Sequence, residues 1–139
     1  MREILFRGKR VDDGEWIYGH YVHQYGSDMI YLPDGVDHEY GFDYYHIDTE
    51  TVGQFTGLTD KNGKRIFEGD IVRSCEYDDI YFVKYCADNN YPAFDVVPEI
   101  NVECNGLSHL YFAEGMEVIG NIHDNPDYLK GEKYASKID

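Results

Sequence analysis

Short segments rich in β-forming residues, separated by turn residues, run through the whole chain and limit its fold class. No stretch of about ten residues repeats apolar side chains with the period of an amphipathic helix. The 14 tyrosines and 7 phenylalanines favour pleated, half-buried surfaces, and the 14 glycines favour turns and bulges. The sequence therefore predicts a mainly β, antiparallel protein with at most one or two short helical turns.

Strand candidates can be placed along the chain from these patterns. Residues 3–7 and 16–22 flank a turn at Asp12-Asp13-Gly14, which predicts an N-terminal hairpin. The other expected strands are residues 29–32, 44–47, 51–55, 65–67, 71–72, 80–86, 94–97 and 117–122.

Turn residues in the later part of the chain predict sharp changes of direction. Asp60-Lys61-Asn62-Gly63 favours a tight turn, because Asn and Gly tolerate positive φ. Gly69 stands between two apolar pairs and predicts a corner of the kind that small barrels use. Gly120 lies inside a strand candidate and predicts a bulge, and Asn125-Pro126 predicts the start of a single helical turn.

The length of 139 residues allows one ordinary domain, or two small β modules that share a core. We expect a single unit over residues 1–139. Within it, residues 1–50 should form an N-terminal β portion, residues 51–129 a barrel-like portion, and residues 130–139 a frayed tail. A chain of this size can bury about two-thirds of its unfolded surface, so it needs no metal or disulfide to fold.

Carboxylates outnumber cationic side chains throughout the chain. The 27 Asp and Glu against 12 Lys and Arg give a net charge of −15, and residues 25–60 contain no Lys or Arg. This balance argues against binding a phosphate backbone, which requires cationic side chains. It permits imitation of nucleic acid toward a host protein that has a basic groove.

The cysteines and the N-terminal residues predict the cellular compartment of the protein. Cys75, Cys86 and Cys104 are an odd number without C-x-x-C spacing, which favours a reducing cytoplasm over secretion. The first residues lack the apolar segment of a secretory signal, and no stretch approaches the roughly 18 apolar residues of a membrane helix. We therefore expect a cytoplasmic protein without a membrane span.

Three motifs together carry a family resemblance. They are REILFR at residues 2–7, TGLTDKNGKRIFEGDIV at residues 56–72 and VIGNIHDNP at residues 118–126. In order and spacing they resemble the YopX family of phage and prophage proteins, whose pattern is R-E-I-x-F-R, T-G-L-x-D-K-N-G-x-x-I-[FY]-E-G-D-I-V and V-I-G-N-I-x-[DE]-N-P. The longer segments that contain these motifs, residues 2–22, 50–73 and 117–129, are distributed from the start of the chain to near its end.

The resemblance implies a small β-rich protein with an SH3-like barrel portion in its second half, encoded by a phage or an integrated prophage. It also implies self-assembly into a homo-oligomer. The family name brings no established activity, so it assigns no catalytic residue. The matched residues are turn and corner formers, and such residues specify a path of the backbone rather than a reaction.

A mixed group of imidazoles and carboxylates is the best metal candidate. It lies in the expected loop at residues 34–43 and just after it, and its members are Asp37, His38, Glu39, Asp43, His46 and Asp48, to which His20 and His23 could add. Imidazole with carboxylate suits several divalent ions, but the spacing matches no known metal motif. The adjacent pairs Asp12-Asp13 and Asp78-Asp79 fit turn chemistry better, since Asp bonds its own backbone at turns.

Other chemistry has less support. G-x-S-x-G and Gly-rich phosphate loops are absent, and a reactive cysteine needs positive charge nearby, which is scarce here. Tyr81, Phe82 and Tyr85 could stack on bases, but residues 71–139 hold five Lys and Arg against thirteen Asp and Glu. We therefore assign no catalytic, cofactor-binding or metal residue, and no cofactor.

The leading hypothesis is a non-enzymatic, cytoplasmic, phage-derived β protein that forms a homo-oligomer and binds other macromolecules. Its aromatic strands leave faces that could pack across subunits. One alternative is an acidic, DNA-mimic-type inhibitor of a host DNA-binding protein. A second is a metal-dependent hydrolase that uses His38, Asp43, His46 and Asp48. Direct binding to nucleic acid or to a membrane is not expected.

Overall fold

The structure is a computed structural model of the full chain, and it describes residues 3–32, 44–74, 80–86, 93–97 and 115–129. Several sequence predictions lie outside the described residues. They are the loop at 34–43 with its candidate ligands Asp37, His38, Glu39 and Asp43, the pair Asp78-Asp79, Cys75, Cys104 and the tail from residue 130.

Ten strands and two short 3₁₀ turns make up the described part of the chain, which confirms a mainly antiparallel β protein. The turns are Thr49–Thr51 and Pro126–Leu129. No described helix is long and apolar enough to cross a membrane. The strands are β1 Phe6–Lys9, β2 Trp16–Gln24, β3 Ser27–Tyr31, β4 Tyr44–His46, β5 Gly53–Thr59, β6 Arg65–Phe67, β7 Asp70–Ser74, β8 Ile80–Cys86, β9 Ala93–Val97 and β10 Met116–Asn121.

Two boundaries differ from the sequence prediction. β1 begins at Phe6 rather than at residue 3, because its pairing with β2 begins where Phe6 faces Gly19. The strand expected at 51–55 begins at Gly53, because the Asp48 side chain accepts a hydrogen bond from the amide of Glu50 at 3.2 Å and caps a 3₁₀ turn just before it.

The chain divides into two compact units, Met1–Gly57 and Leu58–Asp139. In the first unit the hydrogen-bonded order is β4-β3-β2-β1-β5. The N-terminal hairpin of β1 and β2 is confirmed, with its turn closed by a bond from the amide of Gly14 to the carbonyl of Arg10 at 2.9 Å. The core of this unit consists of Ile17, Ile30 and Ile47, with Phe6, Tyr21, Leu32, Tyr45 and Val52 packed around them.

A second hairpin, which the sequence analysis did not identify, joins β2 and β3. Its turn residues Tyr25 and Gly26 both have positive φ, 54° and 74°. Two positive φ values are the mark of the turn that matches the twist of antiparallel strands. The segment after β4 also returns to β1, since an isolated antiparallel bridge joins Arg10 and Ile47.

The second unit contains a four-stranded sheet with the order β10-β7-β8-β9. Among the described strands this sheet is open and does not close into a barrel. The predicted corner at Gly69 is confirmed, with a φ of 93° between β6 and β7. The amide of Gly69 donates to the carbonyl of Val83 at 2.8 Å, and its carbonyl accepts from Ile122 at 2.9 Å. The two clusters that form its core are Ile66, Val72, Tyr81, Val83, Met116 and Val118, and Ile71, Phe82 and Leu129.

The last of the three family motifs shapes the end of the chain. The register of β10 against β7 shifts between Val118 and Gly120, which confirms the predicted bulge. A Cβ at Gly120 would collide with the side chain of Asn125, whose Oδ1 accepts from the amide of Asn121 at 3.2 Å. Asn125 also begins the final 3₁₀ turn, because its carbonyl accepts from Tyr128 at 3.2 Å.

Candidate interaction site

Three cationic side chains of the first unit are packed onto aromatic rings. The guanidinium of Arg7 lies 4.7 Å from the centre of the Trp16 ring, and the ammonium of Lys9 lies 5.5 Å from it. The guanidinium of Arg10 lies 4.1 Å from the centre of the Tyr45 ring. These distances permit cation–π attraction.

A surface groove of about 840 Å³ opens beside the Arg10–Tyr45 stack. The first wall comes from the turn after β1 and the second from β4. Val11 is 67% exposed there, and Tyr44 is also exposed. We call this the aromatic groove, and the described residues that line it are Arg10, Val11, Asp12, Asp13, Tyr44, Tyr45 and His46.

Carboxylates hold the arginine of the aromatic groove in place. Arg10 donates from Nε to Asp12 Oδ1 at 3.1 Å and from Nη2 to Asp12 Oδ2 at 3.0 Å. This bidentate bond raises the pKa of the Arg10 guanidinium and lowers the pKa of the Asp12 carboxyl. Asp13 lies 3.4 Å from Arg10 Nε and accepts from the amide of Glu15 at 3.0 Å. The rim of the aromatic groove therefore holds two carboxylates, those of Asp12 and Asp13, beside the fixed guanidinium of Arg10.

Aromatic rings also line up across β3 and β4. The rings of Tyr31 and Tyr44 are stacked with centres 4.9 Å apart, and His46 meets Tyr44 edge-on at 5.9 Å. Such pairs on one face of a sheet fix the side chains against each other. The second wall of the groove is thus preformed.

A buried carboxylate bonds three side chains of the first unit, two on β2 and one at the 3₁₀ turn after β4. Asp28 Oδ1 accepts from the hydroxyl of Tyr21 at 2.6 Å and lies 2.6 Å from Nδ1 of His23, while Oδ2 accepts from the hydroxyl of Thr49. These bonds, that of Thr49 first, lower the pKa of Asp28 to about 2. The hydrogen bond between Tyr21 and Asp28 also raises the pKa of the Tyr21 hydroxyl to about 12.

The depressed pKa of Asp28 predicts a loss of stability in acid. A folded-state pKa below the unfolded value contributes stability that is present above the unfolded pKa of 3.8 and disappears as the pH falls toward about 2. Urea denaturation at several pH values from about 2 to about 7 should show this decline. Asp28→Asn should be less stable at neutral pH and should show a flatter decline, whereas the exposed control Glu50→Gln should follow the wild type.

The described members of the predicted metal group lie on three different elements. His46 lies on β4 and faces the aromatic groove, and Asp48 caps the 3₁₀ turn that follows. His20 and His23 are on β2, where His23 bonds Asp28. Among the residues with described positions, no three His, Cys, Asp or Glu are grouped to hold a metal ion.

Other candidate residues serve structure. Asp12 and Asp13 lie at the turn after β1, as expected. Tyr81 and Phe82 belong to the two core clusters of the second unit, so these rings are not available to stack on bases. Tyr85 is exposed and meets Phe94 edge-on at 5.3 Å.

Sequence reasoning missed the aromatic groove and the Asp28 network. The two walls of the groove are far apart in the chain, and the bridge between Arg10 and Ile47 brings them together. The one local signal was the apolar Val11 beside a turn of acids. The Tyr25-Gly26 pair between two β-rich segments could likewise have predicted the second hairpin.

Fold and site together define a small antiparallel β protein with a preformed aromatic groove. The model of the YopX protein family matches residues 5–130, and the chain therefore belongs to the YopX family.

A similar solved structure is the crystal structure of protein EF1440 from Enterococcus faecalis. It shares 24% sequence identity and superposes with a TM-score of 0.53, over 94% of this chain and 100% of that one. This likeness supports the fold. A search of curated proteins found no match.

Proposed function

We propose that this YopX-family protein is a phage- or prophage-encoded, non-enzymatic binding protein that works in the host cytoplasm as a homo-oligomer. The aromatic groove carries the proposal, because it exposes Val11 and Tyr44 beside a fixed Arg10. Aromatic side chains and arginine are enriched where proteins bind each other, whereas scattered exposed hydrophobic residues are ordinary. We assign the groove to contact with a second copy of the chain.

The polar residues of the family motifs support a binding role over a catalytic one. Asp60 accepts hydrogen bonds from three backbone amides, and Asn121 Oδ1 accepts from the amides of His123 at 3.0 Å and Asp124 at 2.9 Å. These side chains hold loops in position. The corner at Gly69 and the sheet beside it support an SH3-like arrangement in the second unit.

Measurement of the mass in solution tests the oligomer. Light scattering or sedimentation of the purified chain should give a multiple of the 16.2 kDa chain mass, rising with concentration if association is weak. A mass of one chain at every concentration would contradict the proposal. Displacement of DNA from a host DNA-binding protein by the monomer would then support the acidic inhibitor instead, since a net charge of −15 suits a basic groove.

A further inference from the structure

The tip of the β2–β3 hairpin holds a tyrosine in an unfavourable backbone conformation. Tyr25 has a φ of 54°, a region where Asn and Gly are common and bulky side chains are rare. Tyr25 is 95% exposed, more than any other large hydrophobic residue that the structure describes. Neither the choice of tyrosine at this φ nor the exposure of its ring stabilises the hairpin. A contact with another molecule gives a reason for both features.

The hairpin tip is also free of charge. Gln24, Tyr25, Gly26 and Ser27 are neutral, and the next residue, Asp28, is buried with its carboxylate bonded to side chains of the same unit. Two copies that each carry a net charge of −15 repel each other over most of their surfaces. A neutral aromatic tip is where one copy can approach another at least electrostatic cost.

We propose that the ring of Tyr25 on one copy docks in the aromatic groove of a second copy. The inference rests on the proposed homo-oligomer and names the contact that builds it. A groove of about 840 Å³ has room for the ring and the turn residues beside it. The ring packs against Val11 and Tyr44, and its hydroxyl donates to a carboxylate of Asp12 or Asp13 on the rim.

This contact joins two different surfaces of the chain. Each copy offers one tip and one groove, so the contact either repeats head-to-tail into a closed ring or an open filament, or is made twice in a two-fold dimer, with each tip in the partner's groove.

Tyr25→Asn tests the tip without harming the fold. Asn is well suited to positive φ, so the variant should keep or raise the melting temperature of the wild type when both are measured at a concentration too low for association. It should weaken self-association at least about tenfold, as loss of a central aromatic anchor does. Tyr25→Gly is a second variant that suits the turn. The control is Tyr128→Asn, which removes a ring that is 46% exposed in the second unit and should associate like the wild type.

Mixing two variants tests the pairing of the surfaces. Val11→Asp puts a charge where the ring would be buried and should associate as poorly as Tyr25→Asn. An equal mixture should form a dimer that grows no further, because the intact tip of the Val11→Asp copy fits the intact groove of the Tyr25→Asn copy. Neither variant alone should form this dimer.

The outcomes separate this contact from the oligomer itself. A wild type that stays monomeric contradicts the homo-oligomer, and the contact falls with it. A wild type that associates while Tyr25→Asn and Tyr25→Gly associate equally well overturns the contact alone. A mixture of two monomeric variants that forms no dimer overturns the pairing of tip and groove.

Discussion

Replacing Asp60 with alanine is expected to lower the free energy of unfolding of the second unit by about 3–5 kcal/mol. Asp60 is only 5% exposed. Its Oδ1 accepts from the amides of Asn62 at 2.8 Å and Lys64 at 2.9 Å, and its Oδ2 accepts from the amide of Val118 at 2.9 Å. Alanine would leave three amides without this acceptor, two of them in a turn and one in β10.

The pKa of Asp60 agrees with this role. Burial raises the pKa of the carboxyl, but the bonds from the amides of Val118, Lys64 and Asn62 outweigh it and leave the pKa below its usual value. The folded protein therefore stabilises the charged form of the Asp60 carboxylate. It links the turn before β6 to β10, far along the chain.

Asp60→Asn separates the two tasks of this carboxylate. The amide oxygen of Asn can still accept from the turn, but its NH₂ group would face the amide of Val118, donor against donor. We expect a smaller loss than for alanine, with faster hydrogen exchange at Val118. Far-UV circular dichroism in urea gives the stability. Lys61→Ala is the control, because its exposed ion pair with Glu117 at 3.7 Å contributes about 0–1 kcal/mol. A loss for Asp60→Ala no larger than for this control would contradict the role.

The second large effect is expected at Gly19 in the first unit. Replacing it with alanine should cost about 2–3 kcal/mol of stability, as overpacking does. A Cβ on Gly19 would overlap the backbone oxygen of Tyr31 and lie 3.1 Å from Cγ2 of Ile30. A backbone oxygen cannot rotate away, so β2 and β3 would have to move apart.

Gly8→Ala is the matched comparison for Gly19→Ala. A Cβ there would lie 2.7 Å from Cδ1 of Ile47, which is the end of a side chain and can turn aside. We therefore expect a smaller loss for Gly8→Ala. Trp16 is the single tryptophan and lies on β2, so its fluorescence in urea reports the first unit. Equal stability of Gly19→Ala and the wild type would show that β3 does not approach β2 as described.

Local chemistry explains why much of the fold could be predicted. The turn at 60–63, the positive φ of Gly69 and the 3₁₀ turn at Asn125-Pro126 depend on local residue types, so these types alone indicate a turn, a corner and a final 3₁₀ turn. β8 was predicted with its full bounds for the same reason, because its β-forming residues are consecutive. The first residue of a strand such as β1 depends on the partner strand, so the sequence predicted it less accurately.

The candidate site could not be predicted in the same way. Val11 and Tyr44 line one groove because β4 pairs with β3 and Ile47, the residue after β4, bridges to Arg10. Neither pairing has a local cause. Asp28 gave no sign of its role, since its partners Tyr21 and Thr49 reach it through the hairpin and the 3₁₀ turn.

The amino-acid sequence by itself determined the class of fold, the turns and the family, because these depend on residue types and on spacings within a few positions. Only the tertiary structure decided which side chains share a surface. It brought Val118 to Asp60 and the two walls of the aromatic groove to each other. Contacts of this kind depend on strand pairing across long separations, where loop closure costs entropy that no local pattern reveals.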